Sequence, residues 1–253
     1  MLTLGSILKA SVVAGLIAGA IVSGVHTLLI EPVIERAIAL EEEHSQAHGE
    51  AHAEPVVDRP TQRWGLVLGF IVYGAIWGLL LGVLLYLTQG WRPATWTLVR
   101  YGVVLAVLLG WSVAWLPFLK YPANPPGVGE ADTVGYRQAL YLGFIGLSVV
   151  GTALALGLFR LLHRPAEGSA PGRGRWLWVI VGYVIYTAAI YAVLPANPDP
   201  VEMPGDLVWT FRLIAFAGLI VFWISLAGVF GWFARDWSTV EAGDGQLLQP
   251  RPR

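Results

Sequence analysis

The sequence predicts an all-α integral membrane protein with about six transmembrane helices, and three observations carry that prediction. Of its 253 residues, 56% are hydrophobic and 13% charged, with a mean hydropathy of +0.62, a composition outside the soluble range. The apolar residues collect in runs of about 20, long enough to cross a hydrocarbon core of roughly 30 Å at 1.5 Å per residue. A Pro-Ala-Asn-Pro turn stands where two of these runs stop, at Pro122, Ala123, Asn124 and Pro125 and again at Pro195, Ala196, Asn197 and Pro198, 73 residues later.

The six spans are expected near 10–30, 66–88, 100–119, 138–162, 176–194 and 208–234. The first follows Lys9 and resembles a signal peptide, but it is longer than the usual h-region of about 7–15 residues. It ends in Leu29, Ile30, Glu31 and Pro32 rather than at small residues, so it is read as a spanning helix. Residues 31–65 form an acidic, His-rich loop in this reading, with Val33 to His48 able to be helical after Pro32. Residues 164–175, rich in Pro, Gly and Ser, read as a flexible linker, and 236–253 as a disordered tail. Small residues spaced by four, Gly15 and Gly19, Gly65 and Gly69, and Gly74, Gly78 and Gly82, let helix backbones approach closely.

After each Pro-Ala-Asn-Pro turn comes a short acidic segment and then an arginine, Arg137 or Arg212, that opens the next run. An even number of spans separates the two copies, so this is a parallel repeat of helix, turn and helix covering spans three and four against five and six. Span one, the acidic loop and span two read as a diverged third hairpin. The connections on the N-terminal side carry ten basic residues and the other set six, which puts both termini in the cytoplasm. Both turns and the acidic loop then face outward.

That loop holds Glu41, Glu42, Glu43, His44, His48 and His52, with the histidines at i, i+4 and i+8. On a helix they share nearly one face, although the outer two stand about 12 Å apart. Imidazole with a nearby carboxylate such as Glu41 suits Co²⁺, Ni²⁺, Cu²⁺ or Zn²⁺. A loose ion-collecting surface and a merely solvated acidic loop both fit this pattern. Gly49 weakens the helix before His52, so His44 and His48 are the better pair. His26, Glu31 and Glu35, near the outer end of span one, form a candidate approach site or a set of interfacial polar contacts. Asn124 and Asn197 are flanked by the prolines at 122, 125, 195 and 198, which remove backbone donors and fix direction. They either line a mouth with oxygens or only close two helix ends.

Other chemistry is missing. No cysteine is present, which removes disulfides and thiolate ligands. No basic groove for nucleic acid, no phosphate-binding loop ending in Lys-Ser/Thr, and no catalytic triad or His-Glu-x-x-His pattern occurs. An enzyme is therefore not expected, nor a tightly bound cofactor. No charged residue lies near the middle of any run, which disfavours a self-contained proton antiporter.

The run Leu119-Lys-Tyr-Pro-Ala-Asn-Pro-Pro-Gly-Val-Gly129, followed by Thr133 and Arg137, resembles the signature region of the CbtA family. The glycine-rich first helix running into His26, Glu31 and Pro32 is similar as well. The resemblance implies a bacterial inner-membrane subunit assigned to cobalt uptake for cobalamin synthesis. It also implies a small single-span partner, CbtB, with a His-rich motif of its own. Co²⁺, or Ni²⁺, is then the transported ion, and the chain works in the lipid bilayer without binding nucleotide itself. The alternative is a membrane scaffold that does not transport and docks a partner through its outward proline turns.

Overall fold

The computed structural model describes residues 3–48, 57–93, 95–130, 132–162, 174–201 and 203–237, and among these every regular element is helical. Helix α1, Leu4–Val25, starts at Thr3, whose hydroxyl accepts the Ser6 N–H at 3.3 Å. A π-helical turn, His26–Ile30, joins it without a break to α2, Glu31–His48. Then come α3, Arg59–Thr88, and α4, Leu98–Gly110, which runs through a second π turn, Trp111–Trp115, into the short α5, Leu116–Lys120. Helices α6, Val134–Leu162, α7, Arg175–Val193, and α8, Gly205–Ala234, complete the chain. Among the described residues, six stretches are long and apolar enough to cross a membrane: Leu4–Glu43, Arg59–Trp91, Leu98–Lys120, Val134–Leu162, Trp176–Val193 and Gly205–Ala234.

Number and order agree with expectation, but the helix of the first span does not end at Glu31 and Pro32. The expected loop 31–65 is largely helical, with α2 continuing the first span to His48 and α3 beginning at Arg59. Proline normally stops a helix because it lacks an N–H and its ring meets the carbonyl four residues back. Here that carbonyl belongs to Leu28, inside the π turn, where Glu31 N–H reaches back five residues to His26 O. The wider turn makes room for the ring. Span three repeats the device: Leu116 N–H bonds Trp111 O across the second π turn, and Pro117 follows.

Helix α1 packs chiefly on α3 and α8, α4 packs on α8, and α6 packs on α7. The α1–α3 seam is set by glycine. A Cβ on Gly15 would overlap the Gly74 carbonyl, and one on Gly78 would overlap that of Ser11. Gly65 and Gly69 face open space instead, so only part of the glycine spacing serves this seam. Around it lies the main core, including Ile7, Leu81, Phe222, Trp223, Leu226 and Phe230. Water drives no helix association inside a bilayer, so such close approach and dispersion must supply it. Exposed side chains such as Leu28, Leu154, Trp178 and Val193 cover the outer surface, as lipid contact requires.

The two proline-turn hairpins are packed differently. Helix α5 and the π turn before it touch α6, whereas α7 and α8 share no comparable contact. The repeat in sequence is thus not a repeat in packing.

Candidate functional site

One end of the bundle gathers the far end of the first long helix and both Pro-Ala-Asn-Pro turns. A second apolar cluster seats them there, with Ile30 from the first π turn against Phe118, Phe211 and Ala215. On the surface Arg36 faces Asp206 at 3.6 Å, tying α2 to the start of α8.

The two turns are clasped together. Asp199, just after the second turn and with a side chain only 2% exposed, faces Arg137 Nε at 3.0 Å across to α6. The same carboxylate oxygen accepts the Thr133 hydroxyl at 2.8 Å and the Glu130 N–H at 3.2 Å. Gly129 is required where it stands, because its φ is +97° and a Cβ would lie 2.7 Å from Asp199 Oδ2. From the first turn, the Tyr121 hydroxyl donates to Pro195 O at 2.7 Å. Lys120 lays its ammonium over the Tyr191 ring, 4.6 Å from its centroid.

Between the turns lies a cavity of about 450 Å³, lined among others by Lys120, Asn124, Arg137, Gln138, Asn197 and Arg212. Arg212 donates to Asn124 Oδ1 at 2.7 Å, and its Nε is buried without a hydrogen-bond partner. Asn197 Oδ1 accepts the Asp199 N–H at 3.2 Å. The oxygens of both asparagines are therefore engaged within the protein. Pro122 lines the cavity, and the second turn leaves Asn197 exposed.

A second cluster joins the first span to the second. Glu31, buried on α2, accepts Arg59 at 2.6 Å and Arg63 at 2.9 Å, and Glu35 also pairs with Arg63. His26 stands apart from them. Its ring packs on Phe70 at 4.3 Å between centroids, and its Nε2 would be 3.0 Å from a Cβ on Gly218. His26, Glu31 and Glu35 are thus not brought together on one ion.

The acidic surface lies farther along α2. Glu41, Glu42 and Glu43 are exposed, and the Glu41 carboxyl would lie 3.1 Å from a Cβ on Gly127 of the first turn. The backbone is helical through His48, so positions 41, 44 and 48 keep helical spacing. His52, residues 164–173 of the expected linker and 238–253 of the expected tail lie outside the described residues. Among the described residues, no group of three or more His, Cys, Asp or Glu is arranged to hold a metal.

The family model described as "Probable cobalt transporter subunit (CbtA)" matches residues 4–235, from the start of α1 to the end of α8. The chain belongs to the CbtA family. No curated protein and no solved structure matches it. This CbtA-family protein is a multi-pass membrane protein of the metal transport class, with cobalt as the family's ion. Sequence reasoning placed its turns and noted the arginine after each. It missed the clasp, since nothing in the spacing showed that Asp199 would cross to Arg137 and Thr133.

Proposed function

We propose that this chain is the membrane subunit of a divalent-metal uptake system, with Co²⁺ as cargo and Ni²⁺ as the next ion its ligands accept. Glu41, His44 and His48, with His52 following, collect the ion at the outer surface. His26, beyond the arginine-paired Glu31 and Glu35, receives it inward. The carrying observation is the unbroken helix from Leu4 to His48, which puts the acidic, His-bearing segment on the same element as His26. Imidazole and carboxylate at helical spacing suit a borderline-soft divalent ion held loosely enough to be passed on. The system sits in a bacterial inner membrane with both termini cytoplasmic and works with a single-span CbtB-type partner.

Cells making the chain with that partner are expected to accumulate labelled Co²⁺ faster than cells without the chain. The triple variant Glu41→Gln, His44→Ala, His48→Ala should cut initial uptake about tenfold at limiting Co²⁺. Equal uptake with and without the chain would overturn transport, and unchanged uptake by the triple variant would overturn collection on α2.

The rigid clasp between the turns favours a second reading, a scaffold that docks its partner there. Changing Asn124 and Asn197 together to Ala separates the two. Loss of partner assembly supports docking, and assembly kept with uptake unchanged supports collection and passage along the first helix.

A further inference from the structure

The cavity between the two Pro-Ala-Asn-Pro turns has the wrong sign for a metal ion. Three cationic side chains line it, Lys120, Arg137 and Arg212, and among the described residues no carboxylate lines it. Asp199 neutralises Arg137. Asp206 is directed to Arg36, and Glu130 is exposed. Among the described residues, Arg212 and Lys120 pair with no carboxylate, which leaves two positive charges uncancelled. The donors are equally one-sided. Arg212 Nε is buried and free to donate, while the amide oxygens of Asn124 and Asn197 are already used, so their NH₂ groups remain. Gln138 adds another amide at the same wall.

We propose that this cavity binds a phosphate-class oxyanion. Inorganic phosphate carries between about one and two negative charges at neutral pH and a lipid phosphodiester carries one, and both offer several acceptor oxygens to two free cations and a surplus of donors. Guanidinium is the group best shaped for such an oxyanion, and Lys120 supplies a point charge at the cavity wall. The volume of about 450 Å³ admits a headgroup-sized anion as readily as inorganic phosphate. The oxyanion therefore comes either free from solution or on an anionic lipid, and the bound chemistry is the same.

The full chain, purified in a neutral maltoside detergent without phosphate, would be titrated with inorganic phosphate by calorimetry. Saturable binding is expected, together with a higher melting temperature. Arg212→Gln and Lys120→Gln should each weaken binding at least tenfold. Lys120 is half-buried and makes no ion pair among the described residues, so its variant is expected to keep the size-exclusion profile of the parent, which separates lost binding from lost folding. Phosphate binding retained in phosphatidylcholine nanodiscs but lost in phosphatidylglycerol nanodiscs identifies a lipid headgroup as the occupant. Binding retained in both identifies the free anion. Two results overturn the proposal: no saturable phosphate binding together with equal melting temperatures in the two lipids, or parental affinity in both variants. The titration contains no metal, so its outcome is independent of the uptake reading.

Discussion

Asp199→Asn tests whether the two proline turns are held by the buried clasp. The substitution keeps the shape of the side chain and removes its charge. In the parent, one oxygen of Asp199 meets Arg137 Nε at 3.0 Å, the Thr133 hydroxyl at 2.8 Å and the Glu130 N–H at 3.2 Å. Removing one member of a buried ion pair costs about 3–5 kcal/mol, since the other charge is left buried. Arg137 is 24% exposed, and water recovers part of that loss. The expected cost is therefore about 2–4 kcal/mol. For a chain of this size each kcal/mol moves the melting temperature by about 2–4 °C, so a fall of about 10 °C is expected. Thermal melts in detergent followed by size-exclusion chromatography would read it. Tyr121→Phe is the internal comparison, since it deletes the neutral hydrogen bond to Pro195 O at 2.7 Å on the same seam and should cost only about 1 kcal/mol. A melting temperature for Asp199→Asn within about 2 °C of the parent would refute the clasp, as would equal losses for the two variants.

Further outcomes follow from the seams between spans. Gly15→Leu should abolish the monodisperse folded peak, because a side chain there meets the Gly74 backbone, whereas Gly69→Leu, facing open space, should leave it unchanged. Glu31→Gln should lower the melting temperature by several degrees, as it removes the buried negative charge shared by Arg59 and Arg63 at a cost of about 1–3 kcal/mol. Glu35→Gln, at a side chain 50% exposed, should cost under about 1 kcal/mol by the same melt.

The number of spans was legible because run length against bilayer thickness is a coarse measure, and six runs of suitable length leave little choice. The end of the first span was not. Pro32 reads as a stop only if the preceding turn is an ordinary α turn, and the π turn His26–Ile30 changes that local fact. Trp111–Trp115 does the same before Pro117, where the run continued through the proline and the question did not arise. The candidate site was half legible. The repeated turn and its trailing arginines stood out, and they do meet in one cavity. Which acid serves which arginine depends on a contact spanning more than sixty residues, Glu130 and Thr133 to Asp199. No local pattern encodes it. The asparagines show the reverse case: both line the cavity, but their oxygens are taken by Arg212 and by the Asp199 N–H.

Charge now decides between routes at this end of the bundle. A divalent cation 4 Å from a single uncancelled positive charge is repelled by roughly 8 kcal/mol at an effective dielectric of 20. The cavity between the turns presents two such charges, on Lys120 and Arg212. On the uptake reading, an ion collected on the exposed acids of α2 would therefore not descend between the turns, although they form the obvious opening. Glu31 offers no landing either, because two guanidiniums already occupy it. His26 is the next imidazole inward on the same helix, and its Nε2 faces the gap left by Gly218 on α8. On the uptake reading, the ion's way in follows the seam of the first span with α3 and α8. The basic cavity stands beside that route as a separate site of opposite sign.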